Sequence, residues 1–180
     1  MTFDQLFAQL INIEQGYSNN PADSGGETNH GVTVAVARAY GYTGAMRDMP
    51  KEVAKAIFIE RYWKQPRFDQ VELVSAAVAH ELFDTGVNMG QAVAAKFLQR
   101  ALNLLNRRAT LFPDIAADGV IGSLTIAALK AFLRNRGADG EKVILRMLNA
   151  QQSVRYMEIA ERREKDEEFM FGWTLNRVEI

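Results

Sequence analysis

The sequence contains no cysteine, which excludes disulfides, a thiol nucleophile and cysteine-ligated zinc, although the empty count says nothing about compartment. Histidine is scarce, with His30 and His80 the two. The run His80-Glu81-Leu82-Phe83-Asp84 has Asp84 where a two-histidine zinc helix needs its second ligand, so a metal site would have to gather its ligands from afar. No Gly-x-Ser-x-Gly elbow is present, which argues against serine hydrolase chemistry. Neither sign of charge prevails: 21 Lys and Arg stand against 22 Asp and Glu, for a net charge of −1. With no basic run interleaved with aromatics, nucleic acid is not an expected partner. No uncharged run reaches the roughly eighteen residues that a membrane span requires. The start of the chain has Asp4 instead of a basic region and breaks its apolar positions with Gln5, Gln9 and Asn12, so no secretory signal is visible. The expectation is synthesis in the cytoplasm. There is no internal repeat and no low-complexity linker.

What is present suits one domain, or one domain with a closely packed appendage: 180 residues, of which 48% are apolar. The pattern predicts a mainly α protein. A first helix carries Phe3, Phe7, Leu10 and Ile11 at helical spacing, with Thr2 and Gln5 as a capping box and Gly16 as a left-handed stop. The turn-rich stretch from Tyr17 to Thr33 then predicts a small hairpin or ordered loop. A helix over Val34 to Tyr40 follows, and another opens at Pro50 and runs through Trp63. A longer one is predicted through Val71, Val78 and Thr85, capped by Asp69 with Glu72. Ala92 to Arg107 is helical, Asp118 to Ser123 reads as a turn and cap, and Leu124 to Leu133 forms a further helix. The last long helix, from about Glu141, is expected to bury Val143, Met147, Ala150, Val154 and Met157. Glu161 to Glu168 reads as a solvated end, and Phe169, Phe171 and Trp173 as ties of the tail to the body.

Chemistry concentrates near the start. Glu14 falls on the apolar stripe of the first helix, in its last turn, where partial desolvation and the negative end of the helix dipole both raise a carboxyl pKa. Such a group is suited to donate a proton; the alternative is that Glu14 turns its head into water at a frayed end. Asp23 and Glu27 follow in the polar loop. Glycoside hydrolysis needs one protonated acid and one ionised group, and Asp23 fits the second role, with the Thr28 hydroxyl available to position a water. An Asx-turn role for Asp23 accounts for the same residue. Tyr17, Tyr62 and Trp63 offer flat faces to sugar rings, or serve as lids on the core.

The stretch Glu14-Gln15-Gly16-Tyr17, then Asn20-Pro21-Ala22-Asp23-Ser24-Gly25-Gly26-Glu27-Thr28-Asn29-His30-Gly31-Val32-Thr33, resembles the signature of the family 108 glycoside hydrolases. These are lysozyme-like N-acetylmuramidases, often encoded in phages and prophages, where they serve as endolysins. Arg61-Tyr62-Trp63 and Phe83-Asp84-Thr85-Gly86-Val87-Asn88-Met89-Gly90 continue the likeness. Leu98-Gln99-Arg100-Ala101-Leu102-Asn103, Asp118-Gly119-Val120-Ile121-Gly122-Ser123 and Phe171-Gly172-Trp173 resemble the predicted peptidoglycan-binding domain that accompanies that family. The order of Glu, Asp and Thr is also similar to phage-type lysozymes, with Asp23 to Thr28 one residue shorter. The sequence departs from the family where Gln15 replaces a usual Gly and Ser24 a frequent Pro.

The resemblance implies a lysozyme-like helical fold. Residues 1–90 would form the catalytic region, and 91–180 a peptidoglycan-binding helical region packed with it as one compact unit. It implies Glu14 as the catalytic acid, with Asp23 and Thr28 in support, and no cofactor or metal. Tyr17, Glu27, Asn29, Tyr62, Trp63, Asp84 and Asn88 would contact the substrate, a peptidoglycan glycan strand. Action at the cell wall or periplasm would require a holin or another export route. A protein of the same fold that binds peptidoglycan or takes part in secretion without cutting is the alternative.

Overall fold

The computed structural model describes residues 16–18 and 26–178. Glu14, Asp23 and the predicted first helix lie outside the described residues. Among those described, seven α-helices accompany one two-stranded antiparallel sheet, so the protein is mainly α with a small hairpin. No helix among them is long and apolar enough to cross a membrane. The chain divides into two compact units, Met1–Gln65 and Pro66–Ile180.

In the first unit, β1 (Thr28–Asn29) and β2 (Val32–Thr33) pair Thr28 with Thr33 and Asn29 with Val32. The turn between them is His30-Gly31, both at positive φ (48° and 74°), which is the twist a two-residue hairpin loop requires. Thr33 then caps α1 (Val34–Tyr40) by accepting from the Val36 N–H, and Gly41 at φ 99° stops it. A 3₁₀ turn over Met46–Asp48 leads to Pro50 and α2 (Lys51–Phe58). This helix widens into a π-helical turn over Ile59–Lys64, where Gln65 N–H reaches the Glu60 carbonyl at 2.9 Å. Val32, Ala37, Met46, Met49, Ala54, Ile57, Phe58 and Trp63 are buried.

The second unit opens with α3 (Phe68–Glu72), α4 (Ala76–Met89) and α5 (Gln91–Leu105). The single helix expected from Asp69 to Thr85 is therefore two, and the Asp69–Glu72 cap does not form. Ser75 caps instead: its Oγ accepts from Val78 N–H at 3.1 Å while its hydroxyl donates to Glu141 Oε2 at 2.6 Å. At Gly86, a Cβ would stand 3.1 Å from the Phe68 ring, so α3 can press closely onto α4. The element α6 (Ser123–Arg162) joins two helices across a kink at Gly137, whose φ of 57° and ψ of −145° no helix can hold. Gly122 is its N-cap, so Ser123 is the first helical residue and not the cap. A 3₁₀ turn over Glu164–Asp166 leads to α7 (Glu167–Arg177).

Two burial expectations are corrected here. The face of α6 that turns inward is Ile144, Leu148, Asn149, Gln152, Tyr156 and Ala160, whereas Val143, Val154 and Met157 are 37%, 50% and 45% exposed. Buried Gln152 interrupts the true stripe because it donates to Asp84, so hydropathy alone selects the wrong face. In the tail, Trp173 does tie back, stacking on Tyr156 at 4.9 Å, but Phe171 is 78% exposed. Asp166, inside the charged run, is buried and paired with Arg163 at 2.9 Å.

Tyr156 makes the fold sensitive to alkali. Burial, and next the nearby Asp84 carboxylate, push its phenol from the ordinary 10.0 up to about 12. The folded chain thus holds this proton more tightly than the unfolded chain does. Its contribution to stability is fully present below pH 10 and is lost as pH rises through about 12. Denaturant melts at about pH 9 and about pH 11 should show this fall in wild type and a smaller one in Tyr156→Phe.

Candidate functional site

The motif that follows Glu14 is locked onto the hairpin by short-range bonds. Gly16 sits at φ 75°, the left-handed conformation expected of a helix stop, and a Cβ there would meet nothing within 4 Å, so the constraint is backbone conformation and not space. Immediately behind it the Tyr17 hydroxyl donates to Glu27 Oε1 at 2.6 Å. Ser18 and Thr28 exchange two backbone bonds, at 2.8 and 2.9 Å, adding a third short partner to the sheet. The Glu27 carbonyl accepts from Val34 N–H at 2.8 Å. The hairpin is thereby fixed to Ser18 on one side and to the start of α1 on the other. The effect of the Tyr17–Glu27 bond is geometric, because it ties Tyr17 to the start of the hairpin.

Electrostatics of this cluster follow from the same contacts. The hydrogen bond to Glu27, then burial, raise the Tyr17 phenol above its usual range, and the Arg47 guanidinium pulls the other way. Arg47 lies 5.1 Å from the centre of the Tyr17 ring in a cation–π contact. It is itself placed by Asn29, whose Nδ2 donates to the carbonyls of Met46 at 2.7 Å and Arg47 at 3.2 Å. Asn29 is 4% exposed, so its amide holds the 3₁₀ turn against the hairpin and faces inward. Thr28 Oγ1 donates weakly to the Gly26 carbonyl at 3.3 Å and keeps its acceptor lone pairs available.

Tyr17, Glu27, Thr28 and Asn29 are thus brought together. Tyr62 and Trp63 lie on the π-helical turn of the same unit, where Tyr62 stacks on Phe58 at 5.1 Å and Trp63 is buried. Asp84 and Asn88 lie on α4, in the other unit. Both Asp84 oxygens are engaged: Arg177 donates to Oδ1 at 2.7 Å and Gln152 to Oδ2 at 2.9 Å. Asn88 Nδ2 donates to the Asp84 carbonyl at 2.7 Å. Glu14 and Asp23 lie outside the described residues. Arg47, Gln152 and Arg177 are residues that the sequence reading did not single out; each meets its partner across 30 or more positions, and no spacing rule signals that.

Residues 7–90 match the family model described as Glycosyl hydrolase 108, and residues 93–178 that described as Predicted Peptidoglycan domain. The first half of the chain thus matches glycosyl hydrolase family 108, and the second half a predicted peptidoglycan domain. Among solved structures it is similar to one described as "Structure of Brucella abortus SagA", with 28% identity and a TM-score of 0.65, over 96% of this chain and 87% of that one. No curated protein matches. The boundary between the two family matches falls between residues 90 and 93, whereas the compact units part after Gln65. The helices α3 and α4 belong by sequence to the hydrolase match and by packing to the unit that contains the peptidoglycan domain.

Proposed function

We propose that this protein is a muramidase: a peptidoglycan hydrolase cleaving the β-1,4 bond between N-acetylmuramic acid and N-acetylglucosamine by general acid catalysis. The observation that carries the reading is the glycosyl hydrolase 108 match spanning Glu14-Gln15-Gly16-Tyr17, directly ahead of a predicted peptidoglycan domain. Glu14 protonates the glycosidic oxygen as the bond to the sugar breaks. Asp23, with Thr28, orients the attacking water or stabilises the oxocarbenium-like cation. The Tyr17–Glu27 bond and the Ser18–Thr28 pair support the part given to Thr28, since they hold Tyr17, Glu27 and Thr28 together. The resemblance of Phe83–Gly90 to the family assigns Asp84 and Asn88 to the substrate side. In this reading the protein is made in the cytoplasm and acts on the wall after passage through a holin or another export route.

The reading makes a direct prediction. Purified peptidoglycan incubated with the protein should yield new reducing ends carried by N-acetylmuramic acid, and a chelator should leave the rate unchanged. Reducing ends on N-acetylglucosamine would assign the other glycosidic bond. Binding to the wall without any reducing sugar would replace the enzyme by a binding protein.

A further inference from the structure

Positive charge is concentrated on the exposed face of α5 and in the turn behind it. Between Asp84 and Asp114 the sequence has no carboxylate but four cations, Lys96, Arg100, Arg107 and Arg108, in a chain whose net charge is −1. Lys96, Arg100 and Leu104 stand at successive steps of four on α5 and so share one face, which is exposed, Leu104 at 68%. Arg107 and Arg108 follow within three residues of the helix end and are exposed too. The ion pairs of basic chains among the described residues engage His80, Lys142, Arg155, Arg163 and Arg177, and none of these four. Of the two carboxylates that come next in the chain, Asp114 accepts from Asn106, and Asp118 accepts from Gln99 and Val120 and feels Lys96 only through space.

The turn is strained. Arg107, Arg108 and Ala109 have φ of 56°, 59° and 61°, three consecutive L-residues in the left-handed region that glycine and asparagine occupy most readily. Asn106, 2% exposed, holds this shape: its side-chain oxygen accepts from Ala109 N–H at 3.0 Å, its Nδ2 donates to Asp114 Oδ1 at 2.6 Å, and its carbonyl accepts from Leu111 N–H at 3.1 Å. Thr110 Oγ1 adds a bond to the Arg107 carbonyl at 2.8 Å. Strain kept where glycine or asparagine would relieve it points to a use for the arginine side chains. A cation just past a helix C-terminus complements the dipole, but that accounts for one arginine in any conformation and for neither Lys96 nor Arg100.

We propose that Lys96, Arg100, Leu104, Arg107 and Arg108 form a docking surface for the carboxylates of the peptide stems of peptidoglycan; the inference rests on the substrate class proposed above. Those stems contain alanines beside residues with free carboxylates, so the guanidinium groups meet carboxylates in their preferred forked geometry while Leu104 meets methyl groups. The glycan itself is uncharged once its lactyl group is joined to the peptide, so cations select the stem and not the sugar. All five residues fall within the stretch that matches the predicted peptidoglycan domain.

The test measures cosedimentation of the full-length protein with insoluble peptidoglycan on ice, as isolated and after its carboxylates are converted to amides. Arg107→Asn with Arg108→Asn should bind the isolated polymer about tenfold more weakly than wild type at low salt, and the amidated polymer should not distinguish the two. This variant should melt no lower than wild type, because asparagine accepts the left-handed conformation more readily, so weaker binding cannot be traced to a damaged fold. Arg162→Gln with Lys165→Gln removes the same net charge elsewhere and should bind as wild type does. Equal affinities for wild type and Arg107→Asn with Arg108→Asn would overturn the proposal, as would a loss that persists on the amidated polymer or is shared by the control pair. Weaker binding to vesicles of phosphatidylglycerol, with peptidoglycan binding unchanged, would assign the surface to a membrane instead. Release of reducing ends from peptidoglycan is read on the same proteins. Cutting with binding indifferent to the arginines defeats this inference alone, and arginine-dependent binding without cutting defeats the muramidase reading alone.

Discussion

Glu14→Gln is expected to lower the release of reducing ends from peptidoglycan by about a thousandfold or more while leaving the protein folded. The glutamine has nearly the same volume and reaches the same place, but its amide cannot deliver a proton to the glycosidic oxygen, and positioned general acids contribute about 10²–10⁴-fold. The sequence places this carboxyl in the last turn of a helix, where an anion is disfavoured by the dipole. Its neutralisation should therefore leave the melting temperature unchanged or slightly raised. That combination separates chemistry from structure: a variant that loses activity together with its fold says nothing about the acid. Wall binding measured on the same variant should stay near that of wild type, since the assignment concerns proton transfer and not affinity. An active Glu14→Gln would remove Glu14 from the mechanism and leave Glu27, hydrogen-bonded to Tyr17, as the next carboxylate to test.

What the sequence made legible were features decided locally. A small hairpin within Tyr17–Thr33 and the helix Val34–Tyr40 follow from residues within a few positions of one another: a glycine and a histidine at positive φ, a threonine cap, a glycine end. The Tyr17, Glu27 and Thr28 cluster was legible for the same reason. The long α6 was not, because it carries two apolar stripes. Val143, Val154 and Met157 form the more hydrophobic one in sequence, yet the buried stripe contains Asn149 and Gln152. The compensation for burying Gln152 is Asp84, which lies 68 residues away, and no local rule can see it. Ser75 and Asp69 differ in the same way. Both have a cap's chemistry, but Ser75 also donates to Glu141, a tertiary partner that decides between them. Arg47 was missed because its ring partner, Tyr17, meets it only through the fold.

Gln99→Leu should be the most damaging single change away from the proposed catalytic residues, costing about 2–3 kcal/mol and lowering the melting temperature by roughly 5–10 °C. Gln99 is 1% exposed and organises the turn that launches α6. Its Nε2 reaches Asp118 Oδ1 at 2.9 Å, the Val120 carbonyl at 3.0 Å and Thr125 Oγ1 at 3.3 Å, while its Oε1 accepts from Gly119 N–H at 2.9 Å. Leucine fills the volume but answers none of these. The turn is also held by Gly119, which, at φ 84°, is pressed against α5: a Cβ there would lie 2.9 Å from the Ala92 carbonyl. Thr125, 2% exposed, would stay buried beside the leucine, whereas the exposed Asp118 and Val120 can turn to water. Asp118 supplies an independent check. The Val120 N–H, and next Gln99, hold its carboxyl below the usual 3.8, so the stability it contributes is present above that pH and is lost as pH falls through its lowered value. In Gln99→Leu the carboxyl should return toward the ordinary range and the acid limb of the stability profile should flatten. Denaturant melts from neutral to acid pH read both effects. A loss below about 1 kcal/mol with an unchanged acid limb would mean that the turn is held by packing alone.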